Sequence, residues 1–305
     1  MEMRKVYAQT MAEIMRQNDK VVILDADLAK ACGTTPLYKE FPNRCFDVGI
    51  AESNMVSVAV GFSHYGYIPF THTFTPFSVR RAYDQIAVGL SYGMQNVKIV
   101  GTDPGVCATL NGGTHMSFED VAAMRALANM LIFEPCDSRQ LQLALPQIVA
   151  HQGPCYLRLM RKEDYNIVPE NYVFDLYKAD VLKEGNLLTV VVSGFLTADC
   201  MDIAKKLSGE GKEIEVINVH TLKPLDEQTV IASAKKTNKV LVVENASRMG
   251  GLFGAVAETL VKNYPVKCDV VAIDDRIGQV GKFEELRLDY GIDYKSIESK
   301  ILSML

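Results

Sequence analysis

Short, uninterrupted apolar runs recur along this chain, separated by segments with helical spacing. The run over 20–25 is Lys20-Val21-Val22-Ile23-Leu24-Asp25, and Asn96-Val97-Lys98-Ile99-Val100, Met130-Leu131-Ile132-Phe133 and Leu187-Leu188-Thr189-Val190-Val191-Val192 follow the same form. A strand that is apolar on both faces belongs in a sheet covered on both faces, and parallel sheets are built that way. Strands alternating with helices imply βαβ units. The expected fold class is therefore α/β, with two parallel-sheet-rich domains.

The first block reads as strands over 20–25, 45–48, 68–74, 96–101, 130–133 and 154–159. Helices are expected over 5–17, from Glu52 onward, over 76–92, 117–128 and 138–151. Between about 163 and 186 the alternation lapses into a polar connector. A second block then gives strands over 187–192, 213–219, 240–244 and 268–273, with helices over 197–208, 226–236 and 252–263. The expected division is a first domain over 1–165, a connector over 166–186 and a second domain over 187–305.

Composition narrows the function. The chain has 305 residues, 48% of them apolar, and a formal charge of −5. No basic stripe is present, so nucleic acid is not an expected partner. No apolar run reaches membrane-spanning length and the start lacks a signal-peptide core, so no membrane partner is expected. Seven scattered cysteines without a C-x-x-C pair fit a reducing compartment, and the expected location is cytoplasmic.

In open α/β sheets ligands bind at the carboxyl ends of the strands. Asp47-Val48-Gly49-Ile50-Ala51-Glu52-Ser53-Asn54-Met55 sets one carboxylate in an apolar run where a helix begins. An isolated carboxylate there would be poorly solvated and would hold its proton more tightly, which suits proton exchange near neutral pH. The alternative is an ordinary first-turn Glu favoured by the helix dipole. His115 follows a Gly-rich loop at a strand end, a setting for proton shuttling. Phe74 and Phe77 read either as core aromatics or as ring-stacking faces.

These segments resemble the transketolase family in order and over nearly the whole chain. Residues 1–165 resemble the pyrimidine-binding domain of transketolase and of 1-deoxy-xylulose-5-phosphate synthase. Residues from about 180 resemble the C-terminal domain that follows it, including Val216-Ile217-Asn218-Val219-His220-Thr221-Leu222-Lys223-Pro224-Leu225-Asp226. Neither Gly-Asp-Gly nor Asn-Asn, the family's metal motif, occurs in the sequence. The resemblance is thus to the C-terminal subunit of a split transketolase, which needs an N-terminal subunit carrying the diphosphate-binding domain. It implies thiamine diphosphate as cofactor, Mg2+ held by the partner subunit, and a heterotetramer.

Residue by residue, the resemblance implies that Glu52 activates the cofactor by hydrogen-bonding its aminopyrimidine ring. Phe74 and Phe77 would line or stack on that ring, and Asp27 would lie near its amino group. His115 would face substrate hydroxyls. Arg161 and Arg4 would grip the phosphate of a sugar substrate, a task suited to the guanidinium fork. Arg81, in Arg81-Ala82-Tyr83-Asp84-Gln85, echoes the deoxyxylulose-phosphate synthase form of this helix and is a second cation candidate. Thr102 stands where the family has a His, Ala31 where it has a Ser, and Asn111-Gly112-Gly113-Thr114-His115 replaces Asp-Gly-Pro-Thr-His. Thr102 and Asn111 therefore border a substrate site that departs from the family more than the cofactor site does.

The expected activity is transfer of a two-carbon ketol unit from a ketose, or ketose phosphate, to an aldose. The alternatives are half of a deoxyxylulose-phosphate-synthase-like enzyme, the β subunit of a 2-oxoacid dehydrogenase's decarboxylating component, or a non-catalytic partner subunit.

Overall fold

In the computed structural model, which describes residues 1–162 and 164–305, the apolar runs pair into two sheets. In chain order the strands are β1 (Val21–Asp25), β2 (Cys45–Asp47), β3 (Ile68–Phe74), β4 (Lys98–Thr102), β5 (Leu131–Phe133) and β6 (Cys155–Leu159). Then come β7 (Asp180–Lys183), β8 (Thr189–Val192), β9 (Glu215–Asn218), β10 (Thr221–Lys223), β11 (Lys239–Ser247) and β12 (Lys267–Ile273). The first sheet has the order β10-β5-β6-β4-β3-β1-β2 and the second β12-β11-β8-β9-β7. Every pairing is parallel except β10 with β5 and β7 with β9. The fold is α/β with two parallel-rich domains, as the alternation implies.

Several local readings change. The connector is not structureless, since Asp180–Lys183 within it forms β7, the antiparallel edge of the second sheet. The helix expected over 76–92 breaks after Thr75–Val79 and resumes as Tyr83–Gln85 and a π-helix over Ile86–Tyr92. At the break the side chains of Arg80 and Arg81 leave for different partners, a tertiary demand that local helix propensity does not register. The helix expected over 117–128 is shorter, Asp120–Ala126. Beyond Ile273 the chain forms two helices that the pattern did not reveal, Phe283–Asp289 and Tyr294–Met304.

β10 lies in the second half of the sequence but extends the first sheet, so the two domains share a backbone ladder. A buried ionic cluster beside it completes the junction. Arg158, on β6 with no exposed side-chain surface, donates from Nε to Asp120 Oδ2 at 2.7 Å. It also donates to Glu134 Oε1 at 2.6 Å and to the Asn245 carbonyl on β11 at 2.6 Å. Tyr156 donates to Asp120 Oδ2 at 2.7 Å, and Ser193 from the second domain donates to Glu134 Oε2 at 2.8 Å. A buried pair that loses one partner leaves an uncompensated charge. Arg158→Met should therefore destabilise the fold by about 3–5 kcal/mol, read from urea unfolding; a loss below about 1 kcal/mol would show that the cluster is dispensable.

Candidate active site

The carboxyl ends of β6, β4, β3, β1 and β2 lie side by side, and their register brings Leu159, Thr102, Phe74, His72, Asp25 and Asp47 to one edge of the first sheet. Most of the candidate residues follow directly from these ends. Glu52 opens the helix Glu52–His64 shortly after β2 ends, past Gly49, whose positive φ of 74° allows the chain to turn there. Asp47 stabilises the turn by accepting at Oδ1 from the Gly49 N–H at 2.8 Å and the Asp27 N–H at 3.0 Å.

Glu52 is buried, 2% exposed, yet it is not isolated. Arg81 Nη1 donates to both of its oxygens at 3.0 Å. The expectation of a lone carboxylate is corrected on this point, because the helix break delivers a guanidinium to it. Arg81 also lies over the Phe77 ring, 4.6 Å from its centroid. Phe77 meets His115 edge-on at 5.1 Å, and His115 meets Phe74 edge-on at 5.9 Å. The Phe74 ring in turn carries the Arg161 guanidinium at 4.6 Å. Glu52, Arg81, Phe77, His115, Phe74 and Arg161 thus form one continuous wall. His115 Nδ1 pairs with the Thr114 hydroxyl at 2.9 Å. Among the described residues none bonds its Nε2.

The other candidates fall around this wall or away from it. Arg161 is buried and its charge is answered by Asp103, which accepts from its Nε at 2.6 Å and also from Nη2. Arg161 Nη1 and Arg4 Nη1 converge on the Ala31 carbonyl, at 3.1 and 3.0 Å. Arg4 also donates to Glu2 at 3.0 Å. Arg81, a candidate for a substrate anion, is instead committed to Glu52 and Phe77. Thr102, a substrate-binding candidate, is fully buried at the end of β4, where its hydroxyl donates to the Thr73 carbonyl at 3.2 Å. It completes the sheet edge and offers a substrate nothing. Asn111 is exposed. Asp27 is exposed at a positive φ of 59° and is tied to Asp47 rather than to the aromatic wall.

The second domain backs the His115 loop. Gly112 and Gly113 approach the segment around Gly278 and Val280 so closely that a Cβ on Gly113 would collide with the Gly278 backbone. A residue with a Cβ would not fit at 113.

Sequence reasoning missed the supporting acids. Asp25 accepts from the Thr34 hydroxyl at 3.0 Å and from Tyr38 at 3.0 Å, and burial pushes its carboxyl up from the ordinary 3.8 to about 7. Beside it Tyr7 pairs with His72 Nε2 at 2.7 Å, and burial lowers that imidazole to about 4, so it is neutral. An acid ending an apolar strand was the only signal for Asp25. Two half-buried aromatic faces and a buried carboxylate suit a flat, hydrogen-bonding heteroaromatic ring. Among the described residues no group of three or more His, Cys, Asp or Glu is placed to hold a metal ion.

Residues 1–165 match the family described as transketolase, pyrimidine binding domain, and residues 177–297 match the transketolase C-terminal domain. The chain is 45% identical to the 6-deoxy-6-sulfo-D-fructose transketolase subunit SqwH of Clostridium sp. (strain MSTE9), over 97% of this chain and 92% of that protein. It is 35% identical to a putative transketolase C-terminal section of Methanocaldococcus jannaschii, over 98% of this chain and 95% of that one. A solved split-gene transketolase in an inactive β4 tetramer superposes with a TM-score of 0.90 at 35% identity, covering 100% of this chain and 98% of that one.

The floor of the site carries a pH signature. Because the Asp25 carboxyl is raised in the folded state, its contribution to stability is full below the unfolded value and is lost as pH rises from about 4 through about 7. Glu244, raised by burial from 4.5 to about 7, acts in the same window. Asp25→Asn keeps an acceptor for Thr34 and removes the charge. Thermal midpoints measured across pH 4–8 should decline less steeply in the variant, the difference amounting to no more than about 4 kcal/mol; parallel curves would show that Asp25 does not titrate there.

Proposed function

The chain belongs to the transketolase family, a thiamine-diphosphate-dependent family, and carries the two domains that split members encode as a separate subunit; we propose that it is the pyrimidine-side subunit of an enzyme moving a two-carbon ketol unit from a sulfonated ketose to an aldose. The observation that carries this reading is the buried Glu52 carboxylate at the edge of the wall formed by Phe77, His115 and Phe74. When bound, thiamine diphosphate supplies the nucleophilic carbon that accepts the ketol unit.

Glu52 supplies the carboxylate that shares a proton with the cofactor's ring, and Phe74 and Phe77 supply apolar faces that exclude water. Asp27, whose N–H is held by Asp47 in the turn before Glu52, would border the ring's polar edge. His115, with Nδ1 engaged by Thr114 and Nε2 unengaged among the described residues, holds or returns the proton of a substrate hydroxyl. Asn111 on the same loop borders the acceptor. Magnesium and the diphosphate belong to the N-terminal partner subunit, two copies of each subunit assemble, and the enzyme works in the cytoplasm. The inactive form of the related β4 assembly supports the dependence on a partner.

Charge supports the choice of donor. Asp103 answers Arg161 and Glu2 answers Arg4, while Ala31 and Thr102 stand where the family has Ser and His. An anion site so lightly charged favours a sulfonate, with one negative charge, over a phosphate ester carrying nearly two. The name of the 45% identical relative points to the same donor. Arg81, the residue that echoes the deoxyxylulose-phosphate synthase helix, is paired with Glu52 and is not counted among the anion-binding groups.

With the partner subunit present, Glu52→Gln should lower ketol transfer by about 10²–10⁴-fold while assembly, followed by size-exclusion chromatography, is unchanged. Full activity in that variant would end the reading. In the wild type, kcat/KM for 6-deoxy-6-sulfo-D-fructose should exceed that for fructose 6-phosphate by about tenfold or more, the worth of one charged hydrogen bond; the reverse order would move the donor back to sugar phosphates.

A further inference from the structure

We propose that Arg81 is a displaceable cover over Glu52, filling the space that a ring bound to Glu52 and Phe77 must enter. The inference rests on the reading of Glu52 as the carboxylate that receives the cofactor. Both Glu52 oxygens accept from one nitrogen, Arg81 Nη1, at 3.0 Å. The same guanidinium lies over Phe77 at 4.6 Å. The side chain of Glu52 is 2% exposed and that of Arg81 is 50% exposed, so the arginine is the outer layer and the carboxylate the inner one. A ligand that hydrogen-bonds Glu52 and stacks on Phe77 therefore competes with a single side chain for both contacts.

The backbone lets this cover move without disturbing the site. Arg81 sits in the break between Thr75–Val79 and Tyr83–Gln85, so its side chain is not packed along a helix face. Its carbonyl accepts from Ser53 Oγ at 2.7 Å, which fixes the main chain beside Glu52 and leaves the guanidinium held by its tip. Arg80, one residue earlier, takes the opposite course: it donates to the Met116 carbonyl at 2.5 Å and pairs with Glu119, holding the His115 loop. Rotation of the Arg81 side chain alone withdraws the cation. A buried carboxylate left without its cation is unstable until another donor reaches it. Arg81 thus keeps the lone subunit from carrying an unpaired buried charge, and its departure makes Glu52 a strong acceptor for an incoming ring.

Two measurements test this. In the isolated chain, carbodiimide-driven amidation of Glu52, followed by peptide mass spectrometry, should be several-fold faster in Arg81→Met and in Arg81→Gln than in the wild type. Equal rates in both variants, with unchanged circular dichroism, would overturn the cover. In the complex with the N-terminal subunit, titration calorimetry should show thiamine diphosphate binding about five- to tenfold tighter to Arg81→Met, the span of a half-exposed ion pair plus a cation–π contact. Equal or weaker binding would mean that Arg81 supports the ring instead of excluding it. If the wild-type complex takes up no thiamine diphosphate, the reading of Glu52 fails, and the amidation rates alone decide whether Arg81 covers it.

Discussion

Burying the Arg158 guanidinium is the constraint from which the rest of the arrangement follows. A charge with no exposed surface needs every donor answered, and its partners come from both halves of the chain: Asp120 and Glu134 from the first, the Asn245 carbonyl from the second. The two sheets therefore cannot separate without stranding it. β6 carries Arg158 within it and Arg161 just beyond its end, so the strand fixed at the domain junction also fixes the cation at the candidate site. The second domain then closes on the His115 loop through Gly278. The C-terminal domain is in this sense a wall of the site, although it supplies none of the candidate residues.

Most of the fold was legible because its strands are short, apolar and bounded by turns. What was not legible depends on partners distant in sequence. β10 is three residues long and pairs with β5 from the other domain, so no local pattern announces it. β7 is only half-buried, with Val181 exposed, and reads as polar connector until β9 is placed beside it. The break at Arg80–Ala82 carries no Gly or Pro; what marks it is that Arg80 pairs with Glu119 and Arg81 with Glu52, partners distant in sequence.

The same distinction divides the site. Glu52, Phe74, Phe77, His115 and Arg161 could be found because each follows a strand end and stands in a readable motif. Their electrostatic state could not. Glu52 is paired by a residue 29 positions away and Arg161 by one 58 positions away. Those pairings turn an expected lone acid into a covered one and an expected free cation into a neutralised one. Thr102 looked like a substitution within a binding site, whereas its hydroxyl is spent on the backbone of β3. Charge partners across a sheet edge are set by register, and register is not written in either segment alone.

The central claim is that Glu52 serves a cofactor this chain holds only at an interface with another subunit. Titration calorimetry with thiamine diphosphate and Mg2+ tests it most directly, run on the isolated chain and on the chain mixed with its N-terminal partner. No measurable heat from the chain alone and saturable binding by the mixture is the expected result. Tight, magnesium-dependent binding by the isolated chain would contradict it.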